Sequence, residues 1–170
     1  NRRSHIWAIY ISGSARKKPE FMTEPVNRPS FVRPTVETLF HIDFAWWKDN
    51  DSNWRIFLQS YLCEKHQELF KNQADDVVID AVDPVTAEVK QVDGLLHELM
   101  NHCAKQPEFI DENMPLVAKV FRIFLANGNH PLNAIQLSEM VNRPALTVLT
   151  TLTGPQIYKG IRIYQEELPA

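Results

Sequence analysis

The sequence predicts an α+β fold, on three observations. Apolar and polar residues alternate through Phe40-His41-Ile42-Asp43-Phe44, as they do on a half-buried strand. Two β-rich runs, Val77–Val82 and Glu88–Val92, flank a Pro-containing turn, which is the pattern of a hairpin. After Asn113 three runs of helical periodicity follow one another, separated by Gly128, Asn142 and Gly154-Pro155. With 170 residues and 44% hydrophobic content, the chain can build one packed domain or two small ones sharing a seam, and it is too apolar for wholesale disorder. No apolar run approaches the roughly 20 residues that a spanning helix needs, so no membrane partner is expected.

Residues 1–21 stand apart from the rest. Arg2 and Arg3 precede a short apolar run, Ile6–Ile11, which falls short of the apolar core of about 7–15 residues in a signal peptide. Glu20-Phe21, just ahead of Met22, resembles a cloning-site remnant. We read 1–21 as a vector-derived or alternative-start leader. The alternative is a native basic arm able to touch nucleic acid or a membrane surface. Residues 22–36 carry three prolines and little periodicity, and read as an extended arm.

Residues 37–112 are expected to form a small α+β domain. The strand at Phe40–Phe44 leads into Trp46-Trp47, and 48–53 is turn chemistry. Asp51 or Ser52 can cap a helix whose stripe runs Trp54, Phe57, Leu58, Tyr61, Leu62 and Leu69, reaching about Asn72. Past the hairpin, Asp93-Gly94 opens another helix through Leu95, Leu96, Leu99 and Met100 to about Cys103, and Gln106-Pro107 stops it. Phe44, Trp46, Trp47 and Trp54 crowd together amid three aspartates. These rings either close the core, or Trp46 and Trp47 are exposed anchors for a partner protein.

Both cysteines fall beside histidines. Cys63-Glu64-Lys65-His66 puts a thiol and an imidazole three residues apart on one helical face, and His97, His102 and Cys103 follow on the next helix. Zinc takes four nitrogen or sulfur ligands in a tetrahedron, commonly as two close pairs separated by a loop. Cys63 and His66 make the first pair. Cys103 with His97 makes the second, and His102 is the alternate, because Cys103 with His102 requires the helix to fray. A structural zinc with the hairpin between its two pairs is the metal reading. The competing one is two buried cysteines acting as small hydrophobes. Two cysteines cannot build a disulfide framework, so a reducing, cytoplasmic setting is expected. No nucleophile elbow or phosphate-binding glycine loop occurs, and no catalytic residue is assigned.

From Asn113 to residue 170 the helical signals sharpen. Pro115 suits a first turn, and Leu116, Val117, Val120, Phe121, Phe124 and Leu125 line one face. Asn133 and Gln136 have capping-box spacing ahead of Leu137 and Val141, and Asn142 can take the left-handed turn that ends that helix. Pro144 then starts a third helix, with Val148, Leu149 and Leu152 inward. Gln156–Tyr164 reads as a hairpin with Lys159-Gly160 at its turn.

Through Leu137-Ser138-Glu139-Met140-Val141-Asn142-Arg143-Pro144 and Tyr158-Lys159-Gly160-Ile161-Arg162, this segment resembles the winged-helix form of the helix-turn-helix. The resemblance covers roughly residues 114–165. It implies a third helix in the major groove of DNA and a hairpin against the backbone, although winged helices bind proteins as well. On that implication Thr147, Thr150 and Thr151 face the bases or phosphates, while Arg143, Lys159 and Arg162 contact phosphates. The helix lacks an arginine, the strong bidentate reader of guanine.

Charge bears on that reading. Residues 22–112 hold 17 acidic and 8 basic side chains, net −9, whereas 113–170 hold 3 and 5, net +2. An acidic front half repels phosphate, so only the rear segment can approach DNA without penalty. The sequence therefore points to a regulatory or adaptor module acting around nucleic acid, with DNA or a nucleic-acid-associated protein as partner. The alternatives are a protein-interaction domain with no DNA contact and, third, a thiol or metal enzyme, which requires an open cleft around Cys63 and Cys103.

Overall fold

The computed structural model describes residues 33–71, 77–82 and 86–165. The expected leader, most of the expected arm and the Pro84 turn lie outside the described residues.

The first strand, β1 (Leu39–Ile42), alternates as its sequence requires, with Phe40 and Ile42 inward. It is shorter than the alternation implies, because Asp43 leaves the strand to cap a helix. Its Oδ1 accepts from the Trp46 backbone N–H at 2.8 Å, and α1 (Phe44–Asn50) begins there. The expected single helix from Trp54 is two helices, α2 (Trp54–Ser60) and α3 (Glu64–Phe70). Between them the N–H groups of Tyr61 and Leu62 bond three residues back, to Leu58 and Gln59, which tightens the last turn. Cys63 is then extended (φ −67°, ψ 158°) and takes the N-cap of α3. Neither Asp51 nor Ser52 is the α2 cap. Asn53 occupies that place, while Asp51 accepts from the Asn53 N–H at 2.9 Å and the Trp47 indole at 3.1 Å.

The hairpin forms as its composition predicts: β2 (Val78–Val82) pairs antiparallel with β3 (Val89–Asp93), from Val78 opposite Asp93 to Val82 opposite Val89. Asp93 ends β3 and caps α4 (Gly94–Asn101), accepting from the Leu96 N–H at 3.1 Å; its other oxygen takes the Arg55 guanidinium at 2.6 Å. Short 3₁₀ turns at Cys103–Lys105 and Pro107–Phe109 lead to α5 (Leu116–Ala126), whose apolar face is fully buried through Val120, Phe121, Phe124 and Leu125. A two-residue strand, β4 (Leu132–Asn133), precedes α6 (Ala134–Val141), which carries the expected Asn133–Gln136 capping box. Asn142, at φ 53°, ends α6 in the left-handed turn, and α7 (Ala145–Leu152) follows.

The last described strand, β5 (Ile161–Ile163), has a different partner from the one its sequence suggests. Instead of folding back on Gln156–Tyr158, it pairs antiparallel with β1, Ile42 opposite Ile161 and Phe40 opposite Ile163, in a sheet of order β4-β1-β5. Gly160 steers it there. Its carbonyl accepts from the Asp43 N–H at 2.8 Å, its φ is +78°, and a Cβ would lie 2.7 Å from the Asp43 carbonyl oxygen. On the other edge of β1, the Asn129 side-chain amide pairs with both backbone groups of Ile42, each at 2.8 Å, and extends the ladder past β4. The stretches expected as separate 37–112 and 113–170 domains thus share one sheet. They also share one core, in which Phe40, Trp47, Phe121, Val148 and Ile161 belong to a single cluster. All described residues lie within one compact unit, Arg33–Ala170. Among them, no helix is long and apolar enough to cross a membrane.

Candidate metal centre

Breaking the chain at Tyr61–Cys63 has a local consequence. Cys63 at the N-cap of α3 and His66 in its first turn come to one side of the helix, with Cys63 Sγ 3.1 Å from His66 Nδ1. The second pair comes from the end of α4. That helix closes at Asn101, His102 leaves helical geometry (φ −121°, ψ −65°), and Cys103 starts a 3₁₀ turn. Fraying thus lets two adjacent residues face the same point. Cys103 Sγ lies 3.6 Å from Cys63 Sγ and 3.3 Å from His66 Nδ1, and the His102 ring meets the His66 ring at 4.7 Å between centroids.

The donor atoms of Cys63, His66, His102 and Cys103 all lie within 4.8 Å of one another. A tetrahedron with metal–sulfur bonds of about 2.3 Å and metal–nitrogen bonds of about 2.0–2.1 Å has edges of about 3.6–3.8 Å wherever sulfur is one end. The three observed sulfur edges lie within about half an ångström of that figure. This cluster can hold a metal ion. Both thiols are free, and Cys103 and His66 are 2% and 7% exposed, whereas Cys63 is half-buried and His102 is on the surface. The backbone N–H of His66 pulls the Cys63 thiol below the ordinary range, and burial pushes the Cys103 thiol up.

The fourth donor is therefore His102, the alternate, rather than His97. Five residues of helix turn the chain about 140° past a full revolution, so a helix that brings its end to the cluster turns His97 away from it. His97 instead sits 3.2 Å from the Asn101 side-chain amide. One contributor was missed in the sequence: Glu98 Oε2 lies 3.5 Å from His66 Nε2. The signal for it was its place one turn before His102, on the same side of α4.

The expected nucleic-acid residues are dispersed. Lys159, at φ 44°, is turned inward, not out from a hairpin tip. Its ammonium bonds the Tyr61 hydroxyl at 2.6 Å and lies within 4.4–5.5 Å of the ring centres of Phe57, Tyr61, Tyr158 and Phe121. Burial there pulls the Lys159 pKa down and pushes those of Tyr61 and Tyr158 up. Arg162 is paired with Asp43 at 2.8 Å and stacked 5.4 Å over Trp46. Arg143 is exposed before α7 and, with Lys119, lines a cavity of about 390 Å³. The three threonines do share one face of α7, around a shallow depression with Leu146. The hydroxyls of Thr150 and Thr151 donate back to Leu146 and Thr147 carbonyls at 2.8 Å, so they offer lone pairs outward rather than protons.

Trp47 is not a partner anchor. It is 1% exposed, with its ring edge-on to Trp54 and Phe121 at 6.2 and 5.5 Å. Trp46 is half-buried beneath Arg162.

No family model, curated protein or solved structure matches this chain.

Proposed function

We propose that this chain is an adaptor module whose fold is held by one structural zinc ion at Cys63, His66, His102 and Cys103, and whose α6–α7 face holds a partner protein. The observation that carries the metal reading is the convergence of four donor atoms from two separate helices to within 4.8 Å. Two thiolates and two imidazoles suit a tetrahedral, borderline-soft ion; magnesium and calcium would demand oxygen donors. Four protein ligands leave no open position for a reacting water, so the role is structural. Zinc quantified in protein purified without added metal should reach one ion per chain, and Cys63→Ser should lose it together with a large part of the stability. Metal-free protein whose melting temperature ignores a strong chelator would refute the metal.

The choice of a protein partner follows from what the cations are doing. Of the three basic residues that a winged-helix surface would offer to phosphates, Lys159 is half-buried against aromatic rings and Arg162 is ion-paired. Beside the threonine face, Leu146 is 69% exposed, an apolar side chain for which water is a poor neighbour.

A second reading, DNA contact through a winged helix, draws on Arg143 at the α6–α7 turn and Lys119 of α5, which line one cavity. The two readings separate in the salt dependence of DNA affinity. Replacing Arg143 and Lys119 together flattens the slope by about two if both touch phosphates, and leaves it unchanged if the face binds protein.

A further inference from the structure

The cluster has a feature that a purely structural metal does not need. A cavity of about 180 Å³ lies beside the cluster, with Cys63, Cys103, Gln106, Glu108, Tyr61 and Arg122 among the residues that line it. A buried structural site is shielded from solvent by its own ligands and their neighbours. Here the less buried cysteine is at a cavity wide enough for a small oxidant, and the second sulfur is 3.6 Å behind it.

We infer that Cys63 and Cys103 form a peroxide-responsive pair, in which oxidation joins the two sulfurs as a disulfide and releases the metal. The inference rests on the zinc reading for its metal-release half only; the approach of the two sulfurs stands without it.

The chemistry balances with hydrogen peroxide as the oxidant. Cys63, reached through the cavity, attacks one peroxide oxygen. The O–O bond breaks, Cys63 becomes a sulfenic acid, and the other oxygen leaves as water after taking a proton. The Cys103 thiolate then attacks the Cys63 sulfur and expels the hydroxyl, which leaves as a second water. Two sulfurs have each given one electron, the peroxide has taken two, and two protons have come from solvent. A disulfide sulfur is no longer an anionic ligand, and His66 and His102 alone leave half of the tetrahedron empty, so the ion departs. The sulfurs must close from 3.6 Å to about 2.0 Å, a movement that the half-buried, extended Cys63 can make while Cys103 stays in the core.

Oxidation on this account exchanges one staple for another. The metal ties α3 to the end of α4 through four residues, and the disulfide ties the same two elements covalently through two of them. The imidazoles of His66 and His102 are set free, while α3 and the end of α4 stay joined.

The test uses the full chain as purified, treated with graded hydrogen peroxide. Released zinc is followed with a chromogenic chelator, and the products are read by non-reducing peptide mapping and intact mass. The expected result is a Cys63–Cys103 crosslinked peptide, a mass loss of about two units and one zinc released per disulfide formed, all reversed by dithiothreitol with added zinc. In Cys103→Ser the reaction should stop at a Cys63 sulfenic acid that dimedone traps. Zinc-loaded protein that keeps both thiols under peroxide overturns the inference and leaves the metal reading standing. So does over-oxidation of Cys63 beside an untouched Cys103 thiol. Protein purified without metal that still forms the crosslink supports the pair and refutes the zinc.

Discussion

Glu98 approaches His66 from the side of the imidazole opposite the two cysteines. Its Oε2 is 3.5 Å from Nε2, while Nδ1 faces Cys63 Sγ at 3.1 Å and Cys103 Sγ at 3.3 Å. A carboxylate on that side favours the tautomer with its proton on Nε2, which leaves the Nδ1 lone pair for a metal. Glu98→Gln should therefore weaken zinc affinity by about 10- to 100-fold, read by competition with a fluorescent chelator, with the far-UV spectrum unchanged. An unaltered affinity would remove Glu98 from the centre.

The two candidate histidines on α4 separate cleanly. His97→Ala should keep one zinc per chain, since its ring contacts Asn101 and not the sulfurs. His102→Ala should lose the metal at chelator concentrations that leave the wild type loaded. The opposite pair of results would mean that α4 is rotated from the position described.

How far the sequence carried this account depends on the range of each interaction. Local chemistry was readable: the Asn133–Gln136 capping box, the left-handed Asn142, the pairing of β2 with β3, and the Cys63–His66 pair at helical spacing. These depend on residues a few positions apart. The choice of His102 over His97 turned on whether α4 frays at its end, which neither a glycine nor a proline announces. The break between α2 and α3 is equally unmarked in Tyr61-Leu62-Cys63. The pairing of β5 with β1 joins residues from opposite ends of the described chain, and no periodicity reports it. Lys159 read as a wing cation because three of its four rings come from two distant segments, around Phe57 and Tyr61 and around Phe121.

That half-buried ammonium gives a stability prediction. Lys159→Met removes the charge from the rings and the bond to the Tyr61 hydroxyl, yet keeps much of the apolar stem. The loss should be about 1–2 kcal/mol by urea unfolding, since a cation only partly out of water gains about that much from aromatic faces. A neutral effect would show that Lys159 is held loosely and is free for a ligand.

His41 gives a pH prediction. Burial, the largest influence on it, pulls its pKa below 6.5, and its ring lies edge-on to Tyr164 at 5.1 Å. The unfolded chain then binds more protons than the folded one as pH falls through 6.5, so the stability His41 allows at neutral pH is lost on acidification. His41→Gln should lose less melting temperature than the wild type between about pH 7.5 and about pH 5. Proton competition at the metal ligands acts on both proteins alike and cancels in the difference. Parallel pH profiles would contradict the assignment.

The central claim is that Cys63, His66, His102 and Cys103 together hold one metal ion, and X-ray absorption at the zinc edge of the purified chain tests it most directly. The account predicts one zinc per chain, with two sulfurs at about 2.3 Å and two nitrogens at about 2.0–2.1 Å. A first shell of nitrogen and oxygen alone, or a chain that carries no zinc, would contradict it.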